Sequence, residues 1–297
     1  MRFGAIFPQI ELGHDAGAAK AFAQGAEALG FDHILIFDHV VGGNPKTHKL
    51  KGPYSSNDPF LEPFALYSYM AALTTKIEFT TGIVILPQRQ TVLVAKQAAT
   101  LDLLSGGRFR FGVGIGWNDI EYQALGEDFA TRGARCEEQI GLLRELWTKP
   151  LVTFKGRFDQ IVDASLNPLP VQRPIPIWLG GHSDAVVRRA ARLGDGWLPL
   201  YAPNEQGQAA VETFKRYVRE AGRDPAKVGI ESWLNIGAYD DGFGKHFDNE
   251  QSWHDWAVGW KRLGATHLSI NSMKAGLKTV DAHLTRLGRV REVLANA

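Results

Sequence analysis

Ile175-Pro176-Ile177-Trp178-Leu179-Gly180-Gly181-His182-Ser183-Asp184 opens as a short apolar strand, turns on two glycines and leads into a helical pattern over 184–193. Gly194 follows that pattern, and a new β-rich run begins at Gly196. A strand, a helix, a stop and a second strand in so short a span form the repeating unit of a parallel sheet.

The same alternation extends in both directions. Strands are expected to begin near Phe3, His33, Ile77, Phe109, Ile175, Gly196, Gly229 and His267. Helices are expected over 16–29, 63–73, 91–104, 131–147, 184–193, 204–221, 251–263 and 278–294. In the first, Ala19, Phe22, Ala23, Ala26 and Leu29 share one face. Gly30, Gly194 and Gly264 stand where three of the helices call for a left-handed stop. Eight such units close into a single α/β domain over 1–297, a (β/α)8 TIM barrel with its helices outside; an open doubly wound sheet is the competing arrangement.

Two segments exceed ordinary connections. Residues 39–60 leave the second strand as a long glycine- and proline-containing loop, of the kind that serves as a lid or substrate wall. Residues 151–176, between the fourth and fifth strands, begin as an inserted hairpin and continue through Pro168, Pro170, Pro174 and Pro176.

Composition narrows the function classes. With 44% hydrophobic and 22% charged residues the chain can bury a large core. Lys and Arg total 33 against 32 Asp and Glu, so there is no global field for nucleic acid or anionic lipid, and no run reaches the length of a membrane span. The lone Cys136 forbids an internal disulfide and reads as a small buried helix residue. None of the nine histidines falls in a His-x-His or His-Glu-x-x-His pattern, so no metal site is expected. Trp253, Trp256 and Trp260 recur at packing intervals along one helix. A cytoplasmic enzyme acting on a small molecule is the simplest class.

In a barrel the reactive residues sit at the C-terminal strand ends. The second strand ends in Asp38-His39, an acid beside an imidazole, which reads equally as a proton-exchanging pair or as a solvated loop cap. Gly82 interrupts the β-branched third strand before Ile83 and marks a bulge or a close approach by another group. The fourth strand runs through Gly112, Gly114 and Gly116, which let backbone approach a ligand, while Trp117 offers an aromatic wall and Asn118 an amide. Gly180, Gly181, His182 and Ser183 precede a helix and form either an anion site or a plain N-cap with a flexible lead.

These stretches, in order, resemble the luciferase-like monooxygenase superfamily over nearly the whole chain, and most closely its bacterial deazaflavin-dependent branch. The most specific part is the succession 95–108, then Gly112 to Trp117 with Glu121, Gly126, Phe129 and Arg132, followed by Gly180-Gly181 and by Gly194 to Trp197. The resemblance implies a flavin-type ring in the barrel mouth, with the deazaflavin F420 ahead of FMN. It implies a non-prolyl cis peptide at Gly82-Ile83, an Asp38-His39 pair beside the ring with Asp38 supporting His39, and Trp117, Asn118 and Glu121 as ring walls. The cofactor's phosphate-bearing tail would lie on Gly180, Gly181, His182 and Ser183. The implied activity is hydride transfer with F420, or monooxygenation with reduced FMN supplied by a separate reductase, in a homodimer. The competing classes are a cofactor-free barrel hydrolase or lyase and a non-catalytic flavin-binding barrel.

Overall fold

The computed structural model describes residues 1–236, 249–295 and 297, and in it the first strand pairs with the last. The chain runs through β1 (Arg2–Ile6), β2 (His33–Ile36), β3 (Glu78–Thr81), a two-residue continuation β4 (Val84–Ile85), and β5 (Phe109–Gly114). A separate antiparallel hairpin, β6 (Val152–Lys155) and β7 (Gln160–Ala164), precedes β8 (Ile177–Gly180), β9 (Gly196–Leu198), β10 (Gly229–Asn235) and β11 (His267–Asn271). Parallel pairing proceeds β1-β2-β3-β5-β8-β9-β10-β11 and returns to β1, with Ala5 flanked by Ile34 and Ile270. That return closes an eight-stranded barrel and rules out the open doubly wound sheet.

Outside the ring lie α1 (Gln9–Leu12), α2 (Ala16–Ala28), α3 (Pro63–Ala71), α4 (Thr91–Ser105), α5 (Asp119–Ala124) and α6 (Arg132–Thr148). They are followed by α7 (Asp184–Leu193), α8 (Glu205–Glu220), α9 (Glu250–Leu263) and α10 (Val280–Leu294). α2 shows why these segments are helical. Asp15 caps it by accepting from the Gly17 and Ala18 amides at 2.7 and 3.1 Å, and Ala19, Phe22, Ala23 and Ala26 turn their shared face into the core. In α9 the three tryptophans are buried, and Cys136 is buried in α6, where loss of solvent pushes its thiol up to about 12.

Gly30 and Gly264 do take left-handed backbones, with φ of +76° and +92°. Gly194 does not: at φ −87° its backbone is extended. A side chain there would come within 2.8 Å of the Ala190 and Gly196 carbonyls, so glycine is required for space and not for handedness. The left-handed stop of α4 is Gly106, at φ +68°.

Near the N-terminal ends of the strands, the barrel interior holds charge. Arg110 of β5 reaches Glu231 of β10 at 2.5 Å, and since those strands are not neighbours, the contact crosses the interior. His33 and the Ser269 hydroxyl complete the carboxylate's shell at 2.7 and 2.6 Å. Burial alone would raise the Glu231 carboxyl, but Arg110 and His33 outweigh it and hold the group well below the ordinary range. Neighbouring His267 is pushed down to about 2, chiefly by burial and then by Arg110.

Candidate active site

The C-terminal strand ends open into one cavity of about 510 Å³, within the usual range for small-molecule and cofactor sites. Ten of the residues singled out in the sequence line it: Asp38, His39, Gly82, Ile83, Gly116, Trp117, Gly180, Gly181, His182 and Ser183. Asn118 and Glu121 do not. Asn118 caps α5 by accepting from the Ile120 amide, donates to the Val41 carbonyl, and faces a smaller adjoining pocket of about 210 Å³. Glu121 lies behind the wall, buried under His39.

One side of the cavity is built on the break between β3 and β4. The Gly82-Ile83 peptide is cis, and the Gly82 amide donates to the Ile36 carbonyl at 2.7 Å. Ile83 then seats its side chain between β5 and β8. A Cβ on Gly114 would lie 2.3 Å from its Cδ1, and one on Gly180 would lie 2.9 Å from its Cγ2. A Cβ on Gly112 would fall 1.7 Å from the Thr81 carbonyl oxygen. Gly112 and Gly114 therefore make room for the bulge, whereas Gly116 and Gly180 also present backbone to the cavity. The consequence for the site is a smooth apolar floor of Ile83, Ile85, Ile115 and Val186.

The Asp38-His39 pair is not a pair in three dimensions. Asp38 turns to Arg89, whose Nη2 lies 2.8 Å away, and accepts from the Ile85 amide at 3.1 Å. Burial pushes its carboxyl above the usual range, with Arg89 pulling it back. His39 is instead held by Glu121, at 3.2 Å from Nδ1, and the same carboxylate accepts from the Val40 amide at 2.8 Å and from Gln88 at 3.3 Å. Burial would raise the Glu121 carboxyl, but His39, Gln88 and the Val40 amide together hold it below its ordinary value. An ionised carboxylate only accepts, so Nδ1 of His39 carries a proton and Nε2 is left for the cavity. Arg89, Gln88 and the partnership of Glu121 with His39 are not legible in the sequence, where they stand far from the end of β2.

The far end of the cavity suits an anion. Gly181 adopts φ +129°, and the chain then enters the ten-residue helix α7, whose N-cap Ser183 spends no side-chain bond on the helix. Asp184 in the first turn is engaged by Arg188 and the Tyr217 hydroxyl at 2.8 and 2.6 Å, which offsets its charge. An apolar floor ending at a helix N-terminus is a fitting receptacle for a flat apolar ring with an anionic tail. Among the described residues no group of three or more His, Cys, Asp or Glu is placed to hold a metal ion, and no helix is long and apolar enough to cross a membrane.

A sequence model of the luciferase-like monooxygenases matches residues 1–236. The chain belongs to that family. An uncharacterized protein of Mycobacterium tuberculosis H37Rv is 37% identical over 219 residues, covering 71% of this chain and 75% of the relative. Luciferase-like relatives with named activities include an F420-dependent glucose-6-phosphate dehydrogenase of Amycolatopsis mediterranei, 34% identical over 64% of this chain and 57% of its own. An FMNH2-dependent dimethylsulfone monooxygenase of Pseudomonas fluorescens is 31% identical over 78% and 61%. In structure the fold is similar to an F420-dependent secondary alcohol dehydrogenase solved with an F420-acetone adduct, with a TM-score of 0.81 at 20% identity, covering 99% of this chain and 98% of that one.

Proposed function

We propose that this luciferase-like chain is an oxidoreductase that binds a flavin-type cofactor, the deazaflavin F420 before FMN, and acts on a small organic substrate beside it. Ile83, Ile85, Ile115 and Val186 would support the ring, Trp117 would flank it, and the turn from Gly180 to Ser183 would take the tail. When bound, the group supplies hydride exchange as the deazaflavin, or oxygen activation as reduced FMN.

The observation that carries the reading is the glycine-seated Ile83 floor, which shares one cavity with His39 and with the N-terminus of α7. His39, with Nδ1 on Glu121, presents Nε2 to accept or return a proton at a substrate oxygen. That imidazole favours F420, because hydride exchange at a hydroxyl or carbonyl carbon needs a proton partner. Asp38 and Arg89 neutralise each other and fix the end of β4 at Ile85. The relatives carrying F420 and FMNH2 in their names support the cofactor class, and the FMN reading draws on the second of them.

Absorbance titration of the purified chain with F420 and with FMN, each oxidised and reduced, tests this. Binding of one of them with a Kd of about 1 μM or tighter is expected. Failure of all four forms to bind overturns the reading.

A further inference from the structure

The cavity lining has a second, aromatic part that the proposed cofactor site does not use. Beside the Ile83 floor, β2 and the loop after it contribute Phe37 and Tyr54, and β10, on the other side of the ring from β3, contributes Trp233. The Phe37 ring lies 5.2 Å from Trp233 and 6.4 Å from Tyr54, all tilted to one another, and Tyr54 packs 5.1 Å from the His39 ring. Such tilted aromatic walls recognise another ring by its edge and face.

Charge is used up around this wall. Asp38 is paired with Arg89. Lys51, at the mouth, is paired with Asp119 at 2.6 Å, and His182 sits out at the tail end with its carbonyl taken by the Tyr201 hydroxyl. His39 lines the cavity next to Tyr54, and its Nδ1 is committed to Glu121. Lys274 lies 5.5 Å from the Tyr54 ring but does not line the cavity, so a carboxylate or phosphate on the ligand would meet only the already paired Lys51 within it, and desolvating an unpaired charge is costly.

We propose that the aromatic side binds an uncharged, ring-bearing substrate with one hydroxyl or carbonyl oxygen, the ring against Phe37, Tyr54 and Trp233 and the oxygen at Nε2 of His39. The assignment rests on the reading of the Ile83 floor as the cofactor's. It separates this chain from any role on a phosphorylated sugar.

Isothermal titration calorimetry of the full chain, alone and with saturating F420 or FMN, tests it with acetophenone, 1-phenylethanol, ethylbenzene, benzoate and glucose 6-phosphate as probes. The two oxygen-bearing aryl probes are expected to bind about tenfold or more tighter than benzoate and glucose 6-phosphate. Tyr54→Leu and Trp233→Leu should each weaken them by about five- to tenfold, and His39→Ala should erase their advantage over ethylbenzene. Thermal melts of each variant separate lost binding from lost folding. Equal or tighter binding of either anion, no binding of any aryl probe, or parent-like affinity in both leucine variants overturns the proposal. The cofactor titration is read separately: aryl binding without F420 or FMN binding sinks the oxidoreductase reading and leaves this one standing, and the converse result does the reverse.

Discussion

At the scale of single residues, the proposed function gives His39 and Glu121 two parts of one task. His39 lines the cavity with its Nδ1 held by Glu121, which leaves Nε2 for a ligand, so the two substitutions should differ in kind. His39→Ala is expected to lower turnover about 100-fold while leaving cofactor affinity within about threefold, measured by steady-state kinetics beside an absorbance titration. Glu121→Gln keeps a hydrogen-bonding shape yet loses the charge that selects the Nδ1–H tautomer, so the pH profile of turnover should move while cofactor affinity stays near that of the parent. An unchanged profile would remove Glu121 from the positioning role. The adjacency of Asp38 and His39 was plain in the sequence, but their partners were not. Arg89 and Glu121 lie 51 and 82 residues along the chain, and only the closed barrel brings them to the end of β2.

At the scale of elements, glycines separate into those that make room and those that do not. Gly112 faces the Thr81 carbonyl across the β3–β5 seam, and a methyl group there would be 1.7 Å from that oxygen, so Gly112→Ala must spread the seam. It should cost about 1–3 kcal/mol in a denaturant melt and weaken cofactor binding, because the Ile83 floor shifts with β3. Gly141, mid-way along α6 with nothing within 4 Å of its would-be Cβ, is the contrast: Gly141→Ala should stabilise by about 0.5–1 kcal/mol. Sequence periodicity located the strands within a residue or two, since β-branched runs bounded by glycine are local signals; His33, Phe109, Gly196, Gly229 and His267 all begin their observed strands. What it could not separate was why a glycine is present. Gly30 and Gly194 look alike in sequence, yet one supplies a positive φ and the other only clearance.

At the scale of the whole molecule, closure and the buried charges of the lower barrel depend on one another. Glu231 draws its partners from β2, β5 and β11, so the network forms only when the ring is complete. Arg110→Met would leave that carboxylate buried without its cation and should cost about 3–5 kcal/mol. The pH dependence follows from the depressed carboxyl. Its stabilisation is full above the unfolded-state value, about 4.3, and is lost as pH falls through the lower folded value, so Glu231→Gln should flatten the fall of unfolding free energy below about pH 4. β11 also bears on how much of the chain the family model captures. The match ends at residue 236, after β10, yet β11 pairs with both β10 and β1, brings Ser269 to Glu231 and places Asn271 on the cavity. A chain ended at residue 236 would expose two long parallel edges and strip Glu231 of a donor, so it should be recovered as aggregate, by size-exclusion chromatography and far-UV circular dichroism. A soluble, cooperatively melting product would mean that the first ten strands hold together without the strand that closes them.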